Sequence, residues 1–586
     1  MKGSNKIVHF TILFVALFYF LLLWQARWSP GKNWEHKPII TSDALGYYDY
    51  LPRYFVKGHS EKNSFDPTFN VHYKGDTLNK YYIGTSLMES PFFAAAAFYY
   101  VVQGRTFTGY EPLFHYAISF GGVIYFLLSL WLISRILINH FDLKERTAAL
   151  IILIFSFAST LMYYAVIYGA FSHIYSFFCI SWFFYFITRL SKGELKKHEI
   201  ILLFFSSALI CAIRPVNMLV FLLVPFFFEN FSHLKLKFTS LLSKNKKVLS
   251  VAVLFSFIPF LLQSLSWHEQ TGDWIVWSYK NEGFNFSSPH LFDFLFSYNY
   301  GLFIYCPLLL ISLCGIFFMY KENKWKFLWV ALFLLSTWYV LSSWWCWYYG
   351  EGLGIRAAVD LFLVFILLLV YLLKGISDYK VLRKIFVFFI LLCIPLNFIY
   401  SYQYYSHIIN PNSMTGEKFR YVFLRTGDEY KNCFGGLTCI QPYAPNGFDT
   451  LLKSNKNFND LPEKYLNTSG IEFPYGEKIV LDESNCHHEV YWIKVKMKRK
   501  NTSPEGGKNI MLDIHSTIND TISKYYVSLR VKEMPVETTE EWIESEYTLN
   551  CFNRYFCGNT VGIYFYNPKK EEMLIDDVQI EIYGVR

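Results

Sequence analysis

Long uncharged apolar runs, separated by short charged breaks, fill the first two thirds of the chain; near its end apolar residues instead recur at every second position. Runs of the first kind predict membrane helices, because lipid offers no partner to an unpaired backbone amide and a helix satisfies its own. They fall near 8–24, 113–134, 148–166, 172–188, 200–213, 216–228, 248–266, 303–319, 327–343, 359–373 and 385–403. The pair 200–213 and 216–228 is short for full spans and is broken at Pro215, which cannot continue the helical hydrogen-bond ladder. No small-residue cleavage site follows Trp24-Gln25-Ala26-Arg27-Trp28, so the first run reads as a retained anchor.

The stretch Pro91 to Val102 decides the topology, since a crossing there would move every later loop to the other side. With this stretch lying along the surface, the segments 1–7, 135–147, 189–199, 229–247, 320–326 and 374–384 share one side and carry 21 Lys and Arg. The opposite-side segments after Ala148 carry only Arg214, Lys280 and Arg356. The excess of basic residues on cytoplasmic loops then predicts eleven spans, a cytoplasmic N-terminus and an outer C-terminal domain. The outer face receives the loops 25–112, 267–302 and 344–358 and a Tyr-rich turn at 163–173.

Period-two alternation marks the tail: Val490-Tyr-Trp-Ile-Lys-Val-Lys-Met, Ile510-Met-Leu-Asp-Ile-His, Tyr525-Tyr-Val-Ser-Leu-Arg-Val, Val561-Gly-Ile-Tyr-Phe-Tyr and a last strand from Met573. Several such strands separated by turn signals predict an antiparallel sandwich. It resembles the jelly-roll modules that often bind carbohydrate, whose last strand carries a similar Asp-Asp-Val; a purely structural lid is the alternative.

Composition agrees with this division. Of 586 residues 53% are hydrophobic and 17% charged, against roughly a quarter charged in a soluble domain. The first 405 residues hold 33 basic and 21 acidic side chains, and the remaining stretch 21 and 25. A membrane domain at 1–405 is therefore followed by a connecting region at 406–472 and an extracytoplasmic β-sandwich at 473–586. A single soluble enzyme, a disordered chain and a fibrous repeat are excluded. No cytoplasmic loop is large enough for a nucleotide-binding domain, and neither G-x-x-x-x-G-K-[ST] nor a G-x-G-x-x-G after a strand occurs. Chemistry is thus expected on the outer face, where nucleotide donors are normally absent, and nothing points to nucleic acid.

Five of the 11 cysteines lie in the tail, where an outer location permits disulfides. Cys433–Cys439 and Cys551–Cys557 are plausible local pairs that would leave Cys486 single, and the sequence leaves the pairing open. The six earlier cysteines sit mainly in apolar runs, as core packing does.

The residues able to carry chemistry gather in the outer loops. Asp43 stands in Thr41-Ser42-Asp43-Ala44; Asp49 and Arg53 follow at the i, i+4 spacing of a structural ion pair. Lys80 lies in Asn79-Lys80-Tyr81-Tyr82, and Arg214 at the break Arg214-Pro215-Val216-Asn217. An Arg at an apolar break needs an anion or backbone carbonyls as partner. His173 starts a helix as a possible substrate-lining or merely interfacial residue, and Tyr279 and Tyr298 are further lining candidates. In Trp344-Trp345-Cys346-Trp347-Tyr348-Tyr349-Gly350-Glu351-Gly352-Leu353-Gly354-Ile355-Arg356, glycines surround a lone Arg. Trp and Tyr there suit a membrane boundary, and a guanidinium fork in a tight backbone suits a phosphate headgroup.

The order of one span, a long outer loop with an early Asp, a surface helix, many spans and two late loops resembles the polytopic glycosyltransferases of the GT-C fold. That superfamily includes protein O-mannosyltransferases and the lipid A aminoarabinose transferase. The likeness covers about residues 1–405 and is carried by Leu295–Pro307 and Trp345–Asp360. The family's paired acids in the first loop are here Ser42-Asp43-Ala44, and the Lys-Pro-Pro of some relatives is Lys80-Tyr81-Tyr82.

The resemblance implies transfer of a sugar from a polyprenyl-phosphate donor to an acceptor hydroxyl, with inversion. By position in the pattern Asp43 is the base and Arg356 the phosphate ligand, with Lys80 and Arg214 as further cations. It implies no dedicated metal and no cofactor beyond the lipid-linked donor, an acceptor that is protein, lipid or polysaccharide, and a bacterial plasma membrane. The rival within enzymes is an oligosaccharide ligase or polymerase using a diphosphate-linked glycan. The rival from another class is a transporter with a glycan-binding outer domain.

Overall fold

The computed structural model describes residues 6–29, 39–56, 69–279, 282–411, 414–431, 448–480, 484, 486–488, 490–503, 506–507, 509–518, 522–531, 541–552 and 559–585. The chain divides into two compact units, Met1–Ser401 and Tyr402–Arg586.

Each of the eleven apolar runs is helical in the first unit. By length and hydropathy six helices among the described residues could each cross a membrane: Lys6–Trp28, Pro112–Asn139, Ser172–Lys192, Lys246–Thr271, Lys324–Ser342 and Lys380–Tyr405. The others are shorter or broken. The run 148–166 divides into Glu145–Ala158 and Leu161–Val166, and 303–319 into Leu302–Tyr305, Pro307–Leu313 and part of Gly315–Glu322. The segment Pro215–Phe227 winds as a 3₁₀ helix of 13 residues. At about 2.0 Å of rise per residue it reaches roughly 26 Å, which recovers much of the length its residue count denies it. It meets the basic helix Phe231–Lys244 at a bend of 108°.

Ser172–Lys192 is the most enclosed of the long helices, whereas Lys6–Trp28, Lys246–Thr271 and Lys380–Tyr405 bury few of their side chains and leave many apolar ones exposed or half-buried. Such a surface suits lipid rather than water. The stretch 91–102 is the second half of a longer helix, Gly84–Val102. Its first residue abuts the end of Lys197–Ile213: a Cβ on Gly84 would lie 2.4 Å from backbone atoms of Ala212 and Ile213. That contact places the residues preceding Gly84 beside Arg214. A small hairpin of β1 (Asn70–Tyr73) and β2 (Asp76–Asn79) leads into them.

The second unit holds two antiparallel sheets. One orders β3 (Phe448–Lys456), β11 (Leu574–Val585), β6 (Val490–Lys500) and β9 (Ile543–Phe552), with β4 (Leu466–Asn467) also on β11. The other orders β5 (Gly476–Ile479), β10 (Thr560–Tyr566), β7 (Met511–Ile518) and β8 (Ile522–Arg530). Ile493 and Val495 of β6, Ile580 and Ile582 of β11, Leu512 and Ile514 of β7, and Val561 and Ile563 of β10 share one buried core, as period-two patterning requires. Two strands, β3 and β4, lie in the stretch expected to be a connector. Phe448-Asp-Thr-Leu-Leu-Lys-Ser-Asn-Lys pairs along the edge of β11 without a clean alternation to announce it.

Cys486 is disulfide-bonded, so the pairing that would leave it single does not hold as a whole. Cys433, Cys439 and Cys557, and the side chain of Cys551, lie outside the described residues. The six earlier cysteines are free thiols.

Candidate active site

Asp43 opens the short helix Asp43–Tyr48 directly after Ser42, whose φ of 54° is in the left-handed region. A serine held there costs about 1–3 kcal/mol, which persists only where the surroundings over-determine it. They do so here: Asn79 Nδ2 donates to the Gly46 carbonyl at 2.8 Å, and the Ser86 hydroxyl donates to the Tyr47 carbonyl. Tyr81 lies against the same helix, and its hydroxyl donates to Asp43 Oδ1 at 2.5 Å.

From the other end of the unit comes the glycine loop. Tyr349, Gly350, Gly352 and Gly354 all have positive φ, at 62°, 69°, 154° and 70°, and the turn they form leads into the helical turn Arg356–Val359. Gly352 also allows close approach: a Cβ there would lie 2.4 Å from the Tyr164 hydroxyl. The loop presents Arg356 so that its Nη2 lies 2.6 Å from Asp43 Oδ2, with the guanidinium 5.6 Å from the centre of the Phe171 ring.

Burial pushes the Asp43 carboxyl up, but the charges of Arg356 and Lys80 and the hydrogen bonds from Tyr81 and Arg356 outweigh it, leaving its pKa below the usual carboxylate value. Burial and the Asp43 charge together raise the Tyr81 phenol. Tyr81 therefore remains a donor to Asp43 at any ordinary pH.

Both groups open onto a cavity of about 260 Å³. Its lining includes Asp43, Lys80, Arg214 and Arg356 together with Glu282, and its wall is aromatic, from Tyr82, Trp277, Tyr279, Phe284, Trp344 and Trp345. Lys80 Nζ pairs with Glu282 Oε1 at 3.0 Å. The acidic residue and all three cations singled out from sequence thus meet around one space, with Tyr279 in its wall.

The other two candidates lie elsewhere. Tyr298 is outside this lining and accepts a 2.6 Å hydrogen bond from Tyr305 at its backbone carbonyl. His173 is buried behind the wall, its Nδ1 2.7 Å from Asp360 Oδ1. Asn217 Nδ2 donates to Asp360 Oδ2 at 2.7 Å, and Arg214 Nη1 is 3.7 Å from the same oxygen. Asp49 and Arg53 form the expected pair at 2.8 Å, away from the cavity.

Glu282, Tyr81 and Asp360 were given no role from sequence. Asp360 stood within a recognised stretch, four residues after Arg356, which was a signal; Glu282 sits in a loop with no local pattern.

Neither a protein-family model nor a curated protein matches the chain. Among solved structures the chain is similar to the archaeal oligosaccharyltransferase AglB from Archaeoglobus fulgidus, in complex with an inhibitory peptide and a dolichol-phosphate. The match has 12% sequence identity and a TM-score of 0.38, and covers 74% of this chain and 61% of that one. The chain spans less than two thirds of that protein's length.

Proposed function

We propose that this chain is a membrane glycosyltransferase of the GT-C type that moves a sugar from a polyprenyl-phosphate donor to an acceptor hydroxyl. The observation that carries the reading is one cavity in which Asp43 and Glu282 face three cations beneath an aromatic wall. Asp43 takes the proton of the acceptor hydroxyl as its oxygen forms the new bond to the anomeric carbon. The anomeric C–O bond breaks on the opposite side, and its electron pair leaves on the phosphate. Arg356, Arg214 and Lys80 hold that developing charge, where fixed cations act more strongly than in water. The aromatic wall gives a pyranose ring faces to stack against.

In this reading the chain crosses a bacterial plasma membrane eleven times, the cavity opens on the outer side, and the tail is a jelly-roll-like module there.

The test uses the purified full chain in lipid nanodiscs, offered radiolabelled polyprenyl-phosphate mannose, glucose or pentose, or a polyprenyl-diphosphate-linked glycan, in turn with detergent-extracted envelope acceptors. Release of polyprenyl phosphate with label on the acceptor is the expected outcome. Turnover of a diphosphate-linked glycan alone, or of none of these donors, would replace the reading.

A further inference from the structure

Behind the cavity lies a second group of charged and polar residues that, Arg214 apart, the reaction above does not use. Asp360 is fully buried and follows Arg356 by four residues, at the end of the same helical turn. Arg356 extends into the cavity, whereas Asp360 gathers His173, Asn217 and Arg214. A lone pair on His173 Nδ1 would face the carboxylate's own lone pairs at 2.7 Å. Nδ1 therefore carries the proton and donates it. Arg214 Nη1 lies 3.0 Å from that same ring nitrogen, which with its proton in place has no lone pair to offer, so the guanidinium rests against the ring edge and is drawn there by the Asp360 charge 3.7 Å away. Tyr164 meets the ring edge-on, with centroids 5.4 Å apart. Asn217 is fixed in turn on Ser176 Oγ at 3.0 Å. His173 and Asn217 are thus held among buried neighbours, whereas Arg214, with its guanidinium 6.0 Å from the centre of the Tyr349 ring, lines the cavity.

We infer that Asp360, through the His173 ring it holds and its own charge, is the positioning residue that aims Arg214 into the cavity. Because Asp360 and Arg356 share one helical turn, the two arginines act as a single clamp on an anionic headgroup. This inference rests on the proposed donor-phosphate reading for its ligand, though not for its geometry.

Charge and position predict opposite signs here. Removing a buried negative charge beside an anion site strengthens anion binding by Coulomb's law alone, whereas releasing a misaimed guanidinium weakens it. The probe is farnesyl phosphate, a short polyprenyl monophosphate, titrated onto the full chain in nanodiscs. Asp360→Asn is expected to weaken binding about tenfold, a size typical of contacting residues. That loss should vanish when Arg214→Gln is already present and persist when Arg356→Gln is. Equal losses in both backgrounds, or tighter binding by Asp360→Asn, would overturn the inference.

A second measurement needs no ligand. Phenylglyoxal labelling, followed by mass spectrometry, should speed up at Arg214 in Asp360→Asn while staying constant at Arg356. Unchanged labelling at Arg214, or equal acceleration at both, overturns the inference. If the wild-type chain fails to bind farnesyl phosphate, the donor-phosphate reading falls, and the labelling alone decides the positioning role.

Discussion

The carboxylate of Asp43 and the guanidinium of Arg356, brought from the two ends of the helical unit, meet at 2.6 Å. The proposed base and the proposed phosphate ligand are therefore each other's partner when the cavity holds no substrate. A donor phosphate that takes Arg356 competes with Asp43 for it. It thereby releases the carboxylate at the moment a base is needed, and binding energy goes into freeing the reactive group.

Asp43→Asn keeps the size of the side chain and removes its basicity, so transfer should fall about a hundred- to ten-thousand-fold, the usual contribution of a positioned base. Asp49→Asn should keep most of the activity, since Asp49 pairs with Arg53 outside the cavity. Its effect should be on stability, about 1–3 kcal/mol, because Arg53 loses a charged acceptor at a largely buried site. Initial rates and thermal unfolding of both variants separate the two roles. Equal rates for Asp43→Asn and wild type would remove the catalytic assignment.

The pH profile should follow from the same pair. Burial raises the Asp43 carboxyl, and the cations and hydrogen bonds more than offset it. Asp43 is therefore ionised in the free protein down to a pH below the ordinary carboxylate range of about 3.9. A lowered pKa means the charged form persists as pH falls, so the acid limb of kcat/KM should lie low. Replacing Arg356 with Gln removes the nearest cation and favours the protonated acid. The acid limb should then move to higher pH while KM for the donor rises. An unmoved limb would show that Asp43 is not the titrating base.

Tyr81→Phe deletes the 2.5 Å hydrogen bond to Asp43 Oδ1 and little else of the ring's packing. A bond to the ionised form stabilises it, so its loss should also shift the acid limb upward, in the same direction as Arg356→Gln. Since donor phosphate does not depend on Tyr81, donor KM should change less than twofold or so, against about tenfold for Arg356→Gln. A profile indistinguishable from wild type would make the Tyr81 contact incidental.

The helices were legible in the sequence because lipid imposes an unbroken apolar run, and every such run is helical. Asp43, Lys80, Arg214 and Arg356 were legible as single charges in places where charge is costly. Their convergence was not, because no local pattern relates the helix Asp43–Tyr48 to a loop more than three hundred residues later. Glu282 was missed because an acidic residue in a long polar loop carries no signal until Lys80 is found 3.0 Å from it. Strand β3 was missed for a related reason. It lies on the edge of β11, where only part of its length is packed, and so its apolar residues need not alternate.

Gly352 combines a φ of 154° with a Cβ position 2.4 Å from the Tyr164 hydroxyl. Any side chain there meets both a backbone conformation that L residues avoid and an occupied space, so Gly352→Ala must displace the loop that presents Arg356. The strain is about 1–3 kcal/mol, small against the stability of so large a helical unit, so the protein should still fold. The loss should appear in function: Arg356 is carried away from Asp43, donor KM rises, and the acid limb moves upward as in Arg356→Gln. Gly283→Ala is the control, since a Cβ there meets nothing within 4 Å, and it should leave both parameters unchanged. If Gly352→Ala also left them unchanged, the glycine loop would not be what sets the position of Arg356.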